Sequence, residues 1–169
     1  GIITTAGKSG KCPEPVLNEA IAQMATLNDK ACEAMLKSNA TSCTDITGFG
    51  FMGHLSEMTR GSDVTVRIFA RQLPILDGVL ALAHKGFVTG AEATNREYSA
   101  DIKWNSKISE DMQSVLFDPQ TSGGLLVSMP KSDVADFIQC MKKAGQNAWV
   151  VGEVVAADLA ASWTSASSR

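Results

Sequence analysis

Cys43-Thr44-Asp45-Ile46-Thr47-Gly48-Phe49-Gly50 is the most informative stretch of the chain. The segment at residues 40–44 is strand-like and carries one carboxylate, Asp45, to its end. A glycine-punctuated turn follows. Phe51, Met52, Leu55 and Met58 then recur at helical spacing, so the order is strand, turn, amphipathic helix. Asp45 thus stands at a strand terminus facing the start of a helix. Helix N-termini offer free N–H groups to anions, and a carboxylate nearby can hold a hard divalent cation. Phosphate and magnesium travel together, which suggests a nucleotide-handling corner. Asp45 can equally cap the turn by accepting from nearby N–H groups. Thr44 and Thr47 supply hydroxyls that suit either role. Gly48 and Gly50 permit close backbone approach or positive φ. A Gly-x-Gly alone is weak, lacking both the dinucleotide fingerprint and the lysine of a P-loop.

On either side the pattern alternates. Residues 1–13 read as an incoming strand, Ile2-Ile3-Thr4-Thr5, and a loop marked by Gly7, Gly10 and Pro13. Leu17, Ala20, Ile21 and Met24, then Leu27, Ala31, Ala34 and Met35, predict two helices or one broken helix ending by Asn39. The helix after Gly50 should stop near Gly61. Val64, Val66 and Ile68 alternate with Thr65 and Arg67 as a half-buried strand, and Leu76, Val79, Leu80 and Ala83 mark a helix capped by Gly86. Between 88 and 109 the periodicity fails and a long irregular loop is expected. A short helix at 110–116, a turn-rich run at 118–124 and a buried strand at 125–129 follow. Val134, Phe137, Ile138 and Met141 give a helix with acids in its first turn, lysines in its last and Gly145 closing it. Residues 149–155 read as a strand. The Ala/Ser-rich tail at 157–169 is expected to fray, with Trp163 as a docking candidate. This alternation supports a layered α/β or α+β sandwich.

Composition bounds the function. The chain has 169 residues, 44% apolar and 20% charged, which suits one soluble globular domain with a real core. A net charge of −3 supplies no basic excess for nucleic acid or for an anionic membrane surface. No apolar run approaches the ~20 residues that span a bilayer. The four cysteines (12, 32, 43 and 140) form no Cys-x-x-Cys pair and no zinc spacing. Three are expected to be small buried thiols, and the usage fits a reducing, cytoplasmic setting. The chain begins at Gly1 with no signal peptide, as if inside a larger protein.

Other segments are weaker. His54 and Glu57 share a helix face, but without His-Glu-x-x-His they read as a surface or capping pair. In Asp118-Pro119-Gln120-Thr121-Ser122-Gly123-Gly124 the proline stiffens the loop, polar groups follow, and two glycines leave room for something close; a plain loop before a strand is the alternative. Lys11-Cys12 hints at a lowered thiol pKa, yet no positioned base accompanies it.

Taken together, Thr44–Gly50, Gly53-His54-Leu55, Glu57-Met58 and the run Leu116 to Leu126 resemble the two signatures of the selenophosphate synthetase (selenide, water dikinase) family. Leu27-Asn28, Thr94-Asn95-Arg96 and Val151-Gly152-Glu153-Val154 match the same family in order, over residues 1 to 155. The resemblance implies the aminoimidazole-ribonucleotide-synthetase-like superfamily. Its members join an N-terminal ATP-binding domain, which also dimerises, to a C-terminal α+β layered sandwich with a mixed sheet flanked by helices. It divides the chain into residues 1–13 following that first domain, a C-terminal domain at 14–156, and the tail.

The resemblance further implies synthesis of selenophosphate from selenide, ATP and water, with release of AMP and orthophosphate. Selenide, or a selenium-delivery protein, is the implied partner, in a cytoplasmic homodimer. Asp45 aligns with an aspartate that holds Mg2+ on the ATP phosphates. Gly48, Gly50, Thr121, Ser122, Gly123 and Gly124 are expected to shape the same nucleotide cleft. The family's catalytic cysteine or selenocysteine and its lysine lie in an N-terminal glycine-rich loop that Cys12 and Lys11 do not match, so this chain is expected to be inactive alone. A purine-biosynthetic synthetase, a thiamine-phosphate kinase relative and a non-catalytic scaffold are the competing readings. A thiol redox role is disfavoured by the missing Cys-x-x-Cys.

Overall fold

The computed structural model of the chain describes residues 1–99 and 102–156. The elements run α1 (Ile2–Lys8), α2 (Glu14–Ala25), α3 (Asp29–Leu36), β1 (Ser42–Asp45), α4 (Gly50–Ser62), β2 (Thr65–Ile68), α5 (Val79–His84), α6 (Ala91–Tyr98), α7 (Glu110–Leu116), β3 (Leu125–Ser128), α8 (Val134–Lys143) and β4 (Gly152–Val155). The α+β class is as expected. The strands, however, pair as two antiparallel ribbons, β1 with β3 and β2 with β4, rather than as one mixed sheet. A period of two identifies a strand but carries no information about its neighbour. In the first ribbon Asp45 lies opposite Leu125, so the turn leaving β1 and the loop entering β3 emerge side by side. In the second, Arg67 faces Glu153 and their side chains pair at 3.0 Å.

Two buried clusters hold these layers. Ile2, Ile3, Ala6, Ala20, Val79, Leu82, Ala83 and Val115 form one. Met52, Leu55, Leu116 and Phe117 form the other, with Val66, Ile68, Trp104 and Leu126 against it. Helix α7 therefore serves both, through Val115 on one side and Leu116 on the other. Its start is fixed chemically: Ser109 accepts a hydrogen bond from the Met112 N–H at 3.2 Å, and Glu110 and Asp111 complement the dipole.

Two expectations need correction. The β-branched start is the helix α1, because Ile2, Ile3 and Ala6 lie on one helical face and pack into the first cluster. Residues 1–13 thus share the core of the rest. The stretch from 88 to 109 contains α6, which has no apolar stripe; only Asn95 is buried, and the helix rests on side-chain contacts to its neighbours. Helix α4 ends at Ser62, close to the expected stop near Gly61, and Asp63 takes the left-handed cap at φ 50°. Gly86 and Gly145 close α5 and α8 as read, each followed by a bond from the next N–H back to the helix (Phe87 to Leu82 at 3.2 Å, Gln146 to Met141 at 3.0 Å). The tail at 157–169, Trp163 included, lies outside the described residues. Among the described residues no helix is long and apolar enough to cross a membrane.

Candidate functional site

Alternation along β1 sets the direction of Asp45. Ser42 and Thr44 turn half inward, while Cys43 and Asp45 face solvent. Among the described residues nothing donates a hydrogen bond to the Asp45 carboxylate, and α4 has no side-chain cap. The capping role weighed for this acid is therefore not the one it plays. Its side chain stands free at the ribbon's end.

The two turn-rich segments meet directly. Ile46 N–H bonds Gly124 O at 3.0 Å, Gly123 N–H bonds Ile46 O at 3.0 Å, and Gln120 N–H bonds Thr47 O at 2.9 Å. These bonds prolong the β1–β3 ladder into the loops and account for two of the glycines. A Cβ on Gly123 would sit 2.5 Å from Ile46 O. One on Gly50, whose φ is +69°, would sit 2.7 Å from the Phe117 carbonyl carbon. Gly48 and Gly124 instead face open space, with no atom within 4 Å of a built Cβ. Thr121 and Gly124 are exposed and Ser122 is half-buried.

Asparagines complete the junction. Asn95, 4% exposed, donates through Nδ2 to Gly48 O and to Phe117 O, both at 3.0 Å. Asn28, just ahead of α3, donates to Gly123 O at 2.9 Å. In the sequence both stand out only as positions matching the family, and no local pattern marks Asn95, whose burial and helix come from the fold. Arg96 beside it reaches Gln113 at 3.1 Å and Ser114 at 3.2 Å, pairs with Glu92, and lies over the Phe117 ring. Helix α6 is thereby locked to α7.

Two acid–base positions are buried, and one of them, His54, differs from expectation. His54 is buried rather than superficial, with Nε2 3.0 Å from Thr47 Oγ1. Its Nδ1 lies 3.2 Å from Glu57 Oε2, but at an angle that makes no hydrogen bond. Asp118 is 5% exposed and accepts from Ile2 N–H through both oxygens at 2.9 Å, tying α1 to the loop.

Cysteine placement is corrected as well: Cys32, Cys43 and Cys140 are exposed and Cys12 is half-buried, all as free thiols. Partial desolvation raises the Cys43 thiol pKa, and Cys32 and then Asp45 push it the same way.

A cleft of about 1230 Å³ opens between the ribbons, lined by apolar side chains such as Leu55, Val66, Ile68 and Phe137 and edged by residues 120–124. Asp45 does not line it; the acid faces the other side of its ribbon. The structure thus joins the two loops by backbone but leaves Asp45 on the outer surface. Among the described residues no three His, Cys, Asp or Glu side chains gather closely enough to hold a metal ion.

Comparison with known proteins gives a consistent result. The family described as AIR synthase related protein, C-terminal domain, matches residues 4–163. A selenide, water dikinase of Clostridium botulinum (strain Eklund 17B / Type B) is 39% identical over 156 residues, which cover 92% of this chain and 45% of that protein. The chain is also similar to the selenide, water dikinase of Citrifermentans bemidjiense, 41% identical over 155 residues (91% and 44% of the two chains). The same holds for that of Clostridioides difficile (strain 630), at 35% over 157 residues (92% and 45%). The chain spans about half the length of the curated relatives it matches.

Proposed function

The chain belongs to the AIR synthase related family as its C-terminal domain, and we propose that it forms that half of a selenophosphate synthetase. In the intact enzyme, selenide, ATP and water give selenophosphate, AMP and orthophosphate. The carrying observation is Asp45: an exposed carboxylate at a strand end that accepts no hydrogen bond among the described residues, beside two loops fastened to each other.

A hard oxygen donor of this kind suits Mg2+, which takes one or two protein carboxylates and keeps several waters. Because no three His, Cys, Asp or Glu side chains gather closely enough to hold a metal ion among the described residues, Asp45 is one contributor to a site whose other ligands belong to the rest of the enzyme. Magnesium held there would neutralise phosphate charge during phosphoryl transfer. The domain's own part is placement. Gly48 and Gly124 leave the backbone open to a phosphate, the Thr121 and Ser122 hydroxyls offer donors, and Gly50 and Gly123 let the loops close on each other. The catalytic cysteine or selenocysteine and the lysine belong to the remainder of the protein, a cytoplasmic homodimer, and the domain alone is inactive.

The test is Asp45→Asn in the full-length protein, followed by Mg2+- and selenide-dependent AMP release. Turnover should fall about a hundredfold or more, the scale for losing one preorganised charge-stabilising group. Unchanged turnover removes Asp45 from the chemistry.

A further inference from the structure

We propose that Asn95 is a positioning residue for the Asp45 turn, acting through the carbonyls of Gly48 and Phe117; the inference rests on the function proposed above. The first half of that turn needs no help, since Ile46 and Thr47 are bonded by backbone to residues 120–124. The second half is different. Gly48 O and Phe117 O point toward a common spot, and two carbonyl oxygens facing each other repel unless a donor stands between them. Both hydrogens of one buried amide stand there, at 3.0 Å each. An amide is the side chain that can do this: it carries two donors on one nitrogen with no net charge, where a carboxylate would add repulsion and an aliphatic group would leave two buried acceptors unpaired.

The amide is itself held still. Arg96, the next residue, anchors α6 on Gln113 and Ser114 of α7, whose Val115 and Leu116 sit in the two cores. Helices α6 and α7 thus reach the second half of the turn through the Asn95 side chain, three residues after Asp45 at Gly48, and Gly50 packs on Phe117 two residues further on. A metal ligand must keep its oxygen near an ideal octahedral position for Mg2+, so slack in the turn appears first as weaker cation use.

The experiment compares wild type, Asn95→Leu and Asp45→Asn in the full-length protein. AMP release is measured against Mg2+ concentration, with the melting midpoint of each protein alongside. Asn95→Leu should raise the Mg2+ concentration for half-maximal rate by about tenfold, the scale of one buried polar pairing lost. Saturating Mg2+ should restore most of kcat, and the KM for selenide should stay put. A purely structural residue predicts the opposite: a lowered melting midpoint and reduced kcat at every Mg2+ concentration, with an unmoved half-saturation, and that result overturns the inference. If the leucine variant does not fold, Asn95→Asp carries the same measurement with the volume kept. If Asp45→Asn abolishes turnover while the Asn95 variants keep wild-type Mg2+ dependence, only the positioning role falls. If Asp45→Asn is itself silent, the proposed function falls and this inference with it.

Discussion

Replacing Gly50 with alanine tests how tightly the two site loops are closed on each other. Two costs arise from the geometry. An alanine held at φ +69° costs about 1 kcal/mol of backbone strain. Its Cβ would also lie 2.7 Å from the Phe117 carbonyl carbon and 2.8 Å from its oxygen, well inside the 3.4 Å of ordinary contact. The obstacle is backbone next to the Leu116 and Phe117 core, so it cannot rotate away; forced repacking of this kind costs about 1–3 kcal/mol. Reduced freedom of the unfolded chain returns about 0.4–1 kcal/mol. The net is a loss of about 1–3.5 kcal/mol, which for a chain of this size lowers the melting midpoint by roughly 2–14 °C. Gly48→Ala is the matched control, having no positive φ and no atom within 4 Å, and should stay within about 0.5 kcal/mol of wild type. Denaturant titration followed by tryptophan fluorescence reads both variants. Equal stabilities for the two would mean that the loops are not packed as described.

Two further outcomes follow from the same geometry. Asp118→Asn keeps the shape but weakens the paired acceptance from the Ile2 N–H, so unfolding free energy should drop by about 1–3 kcal/mol, with amide exchange at Ile2 accelerating most. Cys43 alkylation should reach half its maximal rate at a higher pH than for an unhindered thiol, because desolvation, then Cys32, then Asp45 disfavour its thiolate; Asp45→Asn removes one of these and should move that pH downward, and an unmoved profile would separate the two side chains.

Much of the fold could be read from residue patterns, and the failures have physical causes. Val134, Phe137, Ile138 and Met141 placed α8 because one face of that helix is apolar. Ile2 and Ile3 misled because β-branching favours strands on average, whereas burial against α5 and the Asp118 carboxylate decides their conformation. Helix α6 escaped notice because its contacts are polar and distant in sequence, as with Asn95 to Gly48. The site divides in the same way. Asp45 was visible from its place in strand, turn and helix, but no local pattern could say that Gly50 and Gly123 face each other's loops, or that His54 is buried against Thr47.

The outward stance of Asp45 carries a thermodynamic meaning. Nothing in either core leans on that carboxylate, so the polypeptide can reach its native shape before any ion arrives. Under the function proposed above, folding and cation capture are uncoupled in this domain, unlike a zinc finger, where metal and fold come and go together.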